Sequence, residues 1–114
     1  MTINTKAIGM DMTDAINRYA REKAESVEKF FDNIQQIDVT FGSLSNHHNK
    51  GKIFFAEMNV HVPGKNVFVK KEADDLYKAI DKVKDHLKVE FEKMKGKMRD
   101  KDKQSLRDQK GYQM

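Results

Sequence analysis

The chain has 114 residues, with 22 Lys and Arg against 18 Asp and Glu, a net charge of +4 and no cysteine. Such a length is one domain's worth and buries one modest core. The lack of Cys excludes a disulfide scaffold and a thiolate nucleophile, and it fits a reducing compartment. The opening Met1-Thr2-Ile3-Asn4-Thr5-Lys6 lacks the basic start and apolar run of a signal peptide. No segment approaches the ~20 apolar residues of a membrane span, so a cytoplasmic protein with no membrane partner is expected.

Residues 3–8 read as a short strand ended by Gly9. Thr13 is placed to cap a helix, its hydroxyl taking a free first-turn amide and Asp14 lying at the positive end. From there Ile16, Ala20, Ala24, Val27 and Phe31 recur at helical spacing, which predicts a first helix through about Phe31. Ile37, Val39 and Phe41 alternate with Asp38 and Thr40, the period of a strand with one buried face. The polar run 43–52 reads as a hairpin loop. Phe54, Ala56, Met58, Val60 and Val62 give the clearest strand pattern, and Pro63-Gly64 supplies a turn into a last strand at about 67–72.

A second helix is predicted from about Asp74 to Met94 or beyond, with Leu76, Ile80, Val83, Leu87, Phe91, Met94 and Met98 in one apolar stripe. Strands that alternate need one covered face, and two amphipathic helices suffice to cover it. The expected fold is therefore α+β. It is a two-layer sandwich in the order β-α-β-β-β-α, a four-stranded mixed sheet with two helices on one face, as in double-stranded-RNA-binding domains. A right-handed crossover through the first helix would make strands one and two parallel.

Charge is unevenly spread. Residues 1–95 carry 16 basic against 15 acidic side chains and residues 96–114 carry 6 against 3, so the pI of about 9.2 owes most to the tail. Gly96 costs about 1 kcal/mol relative to Ala inside a helix, so fraying is expected near it. Beyond it only Met98, Leu106 and Tyr112 are large and apolar, too little burial to offset ordering entropy. The expectation is a domain over 1–97 and a basic, disordered tail over 98–114. No internal repeat or second domain is evident.

Two motifs carry a resemblance. Asp75-Leu76-Tyr77-Lys78-Ala79-Ile80-Asp81 opens the second helix directly after a hairpin, and Met12-Thr13-Asp14-Ala15-Ile16 opens the first. In this order and spacing the chain resembles the ribosome hibernation-promoting factor family, also described as the sigma-54 modulation protein / S30EA ribosomal protein family, in its short form, over roughly residues 1 to 97. Leu76 stands where Met is usual, a volume-conserving swap. The resemblance implies a factor that binds the 30S subunit and the 70S ribosome, with its basic helix pair against 16S rRNA near the decoding centre. It would block the tRNA and mRNA sites and inhibit translation in stress or stationary phase, without catalysis. The C-terminal dimerisation domain of the long hibernation factors is not recognised, so the sequence does not say whether 70S particles pair.

On a helical wheel at about 100° per residue, Lys78, Lys82, Lys93 and Lys97 with His86 fall on one flank of the second helix's apolar stripe. Lys84, Lys88 and Lys95 with Tyr77 fall on the other, and Asp81, Asp85 and Glu92 fall in the outward middle. Such a pattern also suits a solvated face laced with i to i+4 pairs. On the first helix Lys23 lies close to the buried stripe, with Arg18, Arg21 and Lys29 farther round. The resemblance favours RNA contact: positions matching Lys23 and Lys93 line the cleft between the helices, and Lys95 and Lys97 match further basic positions. The rRNA-binding set expected is Arg18, Lys23, Lys82, Lys88, Lys93, Lys95 and Lys97. Val89, Asn17 and Ser26 stand where relatives often have basic residues, and a one-position shift to Lys88 or Arg18 turns a side chain by about 100°.

No cofactor, metal or small-molecule substrate is expected. His47 and His48 are adjacent in a loop, His61 is on the outer face of a strand and His86 on a helix, with no Cys and no i, i+4 His pair. Ser26, Ser43, Ser45 and Ser105 have no nucleophile context, and no glycine-rich phosphate loop occurs. The competing reading is a general RNA-binding domain that uses shape and 2′-hydroxyl contacts without preferring the ribosome.

Overall fold

The computed structural model describes residues 1–44 and 53–109, with side chains described as far as residue 96. The expected loop around His47 and His48, the end of the tail and the Lys97 side chain lie outside the described residues. The chain forms β1 (Thr2–Ile8), α1 (Asp14–Val27), β2 (Gln36–Leu44), β3 (Ile53–Val62), β4 (Lys65–Ala73) and α2 (Leu76–Gln109). The sheet runs β1-β2-β3-β4, with β1 parallel to β2 and the other pairs antiparallel. This is the mixed four-stranded sheet that the alternation and the helical crossover predicted.

The register explains the core. Val60 opposes both Ile37 and Val67, and Met58 opposes both Val39 and Val69, so apolar rows run across the sheet on one face. Ala20, Ala24 and Val27 of α1 and Leu76, Ala79, Ile80, Val83, Leu87 and Phe91 of α2 bury themselves in the same cluster. Fully burying a Val, Leu, Ile or Phe side chain among these stabilises the fold by about 1.5–3 kcal/mol. Pro63-Gly64 makes the β3–β4 turn, with Gly64 at φ +75°, a conformation that costs glycine nothing. Gly42 serves a different need: a Cβ there would run into the Ile8 carbonyl and touch the Phe55 ring.

Both helix starts are capped. The Ile16 amide donates to the Thr13 hydroxyl at 3.2 Å. On α2 the cap is Asp75, whose carboxylate accepts from the Tyr77 amide at 2.8 Å and whose carbonyl accepts from Ala79 at 3.0 Å. The helix therefore begins at Leu76, two residues later than its periodicity suggested.

Two helix ends also differ from expectation. α1 stops at Val27 and tightens into a 3-10 turn over Glu28–Phe30, after which Phe31 is extended. That turn lets the Phe31 ring stack on Phe91, centroids 5.1 Å apart, which a continued helix would not. The backbone of α2 continues past Gly96 to Gln109. One glycine penalty is outweighed there by neighbours that are mostly straight-chain helix formers.

Candidate nucleic-acid interface

The two helices meet along a cleft whose chemistry is set by the phase of each. On α1, Tyr19 and Lys23 lie one turn apart beside the buried Ala20 and Ala24. On α2, Tyr77, Asp81, Lys84, Lys88 and Lys95 share one stripe at helical spacing. Asp81 ties the two. The Tyr19 hydroxyl donates to Asp81 Oδ1 at 2.6 Å, and Lys23 Nζ lies 3.5 Å from the same oxygen. Lys23 also stands over the Tyr19 ring, 5.2 Å from its centroid, and the Tyr19 and Tyr77 rings meet edge to face at 4.7 Å. Burial, then the bond to Asp81, pushes the Tyr19 phenol from its usual 10.0 up to about 12.

Asp81 thus faces α1, not the outward middle of α2. A helical wheel fixes a residue's angle to the apolar stripe but not the side on which the neighbouring helix lies. Lys23 is correspondingly not a free surface cation. Its side chain is 29% exposed and pinned between Asp81 and a tyrosine ring.

The structure distributes the other expected residues over three places. Lys88 and Lys95 are exposed on the α1-facing stripe of α2 and make no ion pair among the described residues. Lys82 and Lys93 belong to the opposite flank, toward β4. There Lys82 Nζ donates to the Glu72 carbonyl at 3.3 Å and Lys93 lies 3.8 Å from Glu90. Lys23 and Lys93 therefore do not line one cleft, as the resemblance had implied. Arg18 is exposed on the outer face of α1, in a shallow site shared with Asp14, Asn17, Arg21, Glu22 and Glu25.

The β4-side flank borders a groove of about 640 Å³ lined by Lys71, Glu72, Lys82, Asp85, His86 and Val89. His86 Nε2 is 3.0 Å from Glu90, and the hydrogen bond between them is the main reason the Glu90 carboxyl sits below the usual range. Lys71 and Lys84 are basic members of these two surfaces that the expected set omitted. Lys84 had its signal in the sequence, sharing the stripe of Lys88. Lys71 had none, because it reaches the groove only through the sheet.

Two of the three departures from the basic pattern have local uses. Asn17 Oδ1 accepts from the Thr5 hydroxyl at 2.7 Å and ties α1 to β1. The Ser26 hydroxyl donates back to the Lys23 carbonyl at 2.6 Å. Val89 is 46% exposed beside the groove. On the open face of the sheet Asp38 accepts from Asn4 at 3.0 Å and Gln36 at 2.8 Å and pairs with His61 at 2.9 Å. These bonds, Asn4's first, hold its carboxyl below the ordinary range. Among the described residues no cluster of His, Asp and Glu is arranged to hold a metal, and no helix is long and apolar enough to cross a membrane.

The fold is a two-layer α+β domain whose second helix carries lysines on both flanks of its apolar stripe. The chain belongs to the Sigma 54 modulation protein / S30EA ribosomal protein family, whose model matches residues 3–99. It is 34% identical over 97 residues to the ribosome hibernation promoting factor of Azotobacter vinelandii, covering 85% of each chain. With that of Escherichia coli K12 it shares 26% identity over 99 residues, 87% of this chain and 98% of the relative. Its fold superposes on the Thermus thermophilus Protein Y N-terminal domain with a TM-score of 0.68 at 28% identity, covering 82% of this chain and 99% of that one.

Proposed function

We propose that this chain is a ribosome hibernation factor that occupies the 30S subunit near the decoding centre and stops translation by occupancy rather than by chemistry. The observation that carries the reading is the family match over residues 3–99, on the same segment that presents the lysine stripe. The exposed lysines of the α1-facing stripe, Lys88 and Lys95, supply phosphate contacts and counterion release, with Lys84 beside them paired to Asp85 at 3.8 Å, and shape complementarity to folded 16S rRNA supplies selectivity. Lys82, Lys93 and Arg18 form a second, flanking set, Lys23 shapes the cleft, and Lys97 with the basic segment 98–114 extends the α2 side. The protein works in the cytoplasm, on 30S subunits and 70S ribosomes.

Co-sedimentation tests this. The purified chain should travel with 30S subunits and 70S ribosomes at physiological salt, bind naked duplex RNA of similar length far more weakly, and suppress translation in proportion to its amount. Equal binding to duplex RNA would make it a general RNA-binding domain. Inhibition at a small fraction of the ribosome concentration, growing with time, would make it an enzyme.

A further inference from the structure

Tyr77 is the exposed aromatic side chain of the interhelix cleft. Tyr77 is 39% accessible although it lies in sequence between Leu76 and Ala79, both buried. It is also held on several sides. Its amide is fixed by the Asp75 cap, its ring meets Tyr19 edge to face at 88°, and Tyr19 is anchored in turn to Asp81. An exposed ring costs hydration free energy, and a ring so fixed loses little entropy on meeting a ligand.

We infer that Tyr77 is a stacking platform for one unpaired nucleobase of the RNA, with the exposed Lys88 holding a phosphate of the same strand. The inference deepens the ribosomal reading and rests on it. Stacking suits the local charge better than a phosphate contact does. Asp75, which accepts from the Tyr77 amide, and its neighbour Asp74 repel phosphate at this end of the helix, and Lys78 is occupied by Asp74 at 3.4 Å. Lys84 is likewise held by Asp85 at 3.8 Å, whereas Lys88 is exposed and lies about 16 Å farther along the helix axis, the reach of a few nucleotides. Single-stranded and bulged RNA is recognised in this way, by bases splayed onto aromatic side chains beside cations.

The test uses the full chain and purified 30S subunits. Tyr77→Leu should weaken binding by about fivefold to a hundredfold, the range for losing one stacked base, and leave the slope of log affinity against log salt unchanged, because no charge is lost. Tyr77→Phe should bind as the original does. Lys88→Ala should lower the slope by about 0.7 to 0.9. The chain contains no tryptophan, so Tyr77→Trp adds a single fluorophore, whose emission should be quenched on 30S binding after subtraction of the original protein's mixture. Unchanged binding by Tyr77→Leu, a Tyr77→Trp emission indifferent to 30S, or a lowered salt slope in Tyr77→Leu would each overturn the stacking role while leaving the ribosomal reading intact. Failure of the original chain to bind 30S subunits would overturn both.

Discussion

The Tyr19 hydroxyl donates to Asp81 Oδ1 at 2.6 Å, a bond that spans 62 positions of sequence and fixes α1 against α2. Because Lys23 pairs with the same oxygen, one carboxylate sets the position of a phenol and an ammonium together. The cleft is therefore a cross-linked polar joint between two helices that otherwise meet through apolar side chains.

That joint has a pH signature. The folded-state Tyr19 phenol ionises at about 12 rather than 10, so it is the neutral form that folding favours. A raised folded value means the stabilisation is fully present below pH 10 and is lost as the pH rises from 10 towards 12. Tyr19→Phe should lower stability by about 1–2 kcal/mol at neutral pH. It should also remove the component that ionises at about 12 from the alkaline absorbance titration. A titration curve unchanged by the substitution would show that the bond does not persist in solution.

Lys23 and Lys88 should separate folding from binding. Lys23→Glu sets a carboxylate against Asp81 and should cost about 1 kcal/mol of stability, because a half-exposed pair is replaced by like charges. Lys88→Glu alters an exposed side chain with no ion pair among the described residues and should move stability by about 0.5 kcal/mol or less. Ribosome binding should respond in the opposite order, with Lys88→Glu the more damaging per unit of stability lost. Thermal melts paired with 30S binding check both halves. Equal melting temperatures for the two variants would mean that Lys23 is as free as Lys88.

Core packing farther along α2 gives a control with no effect on charge. Phe91 is fully buried and stacked on Phe31, so Phe91→Ala should cost about 3–5 kcal/mol. Its salt slope for 30S binding, measured where the variant is still folded, should match that of the original chain. A changed slope would mean that the core substitution shifts the lysine flank.

The fold was legible because its periodicities are clean. Met58 and Val60 alternate with polar partners, and Ile80, Val83 and Leu87 hold helical spacing, so each element declared its buried face. What pairs with what across the helices was not legible. Asp81 lies about 100° from Ile80, and nothing in α2 alone says whether that direction meets water or Tyr19. The grouping of Lys23 with Lys93 came from the resemblance instead; the wheel already set Lys93 on the flank opposite Lys88, and Lys23 pairs with Asp81 on the α1 side. The late start of α2 was hidden differently: Asp74 and Asp75 are both plausible caps, and only the bonds to the Tyr77 and Ala79 amides decide for Asp75.

The segment 98–114 carries Arg99, Lys101, Lys103, Arg107 and Lys110 against three aspartates, and the α2 backbone runs through most of it. A segment of that composition has few apolar residues to bury and many cations to place on phosphates. Its contribution to RNA binding should therefore be almost wholly electrostatic. Each phosphate neutralised on single-stranded RNA adds about 0.7 to the slope of log affinity against log salt, so deleting residues 98–114 should lower both affinity and slope while leaving melting of the sheet and helices unchanged. Titrations of 30S subunits at several salt concentrations with the full and shortened chains would measure this. Identical slopes would remove the segment from the RNA contact, and sucrose gradients of 70S ribosomes with the same two proteins would show whether it governs the pairing of ribosomes.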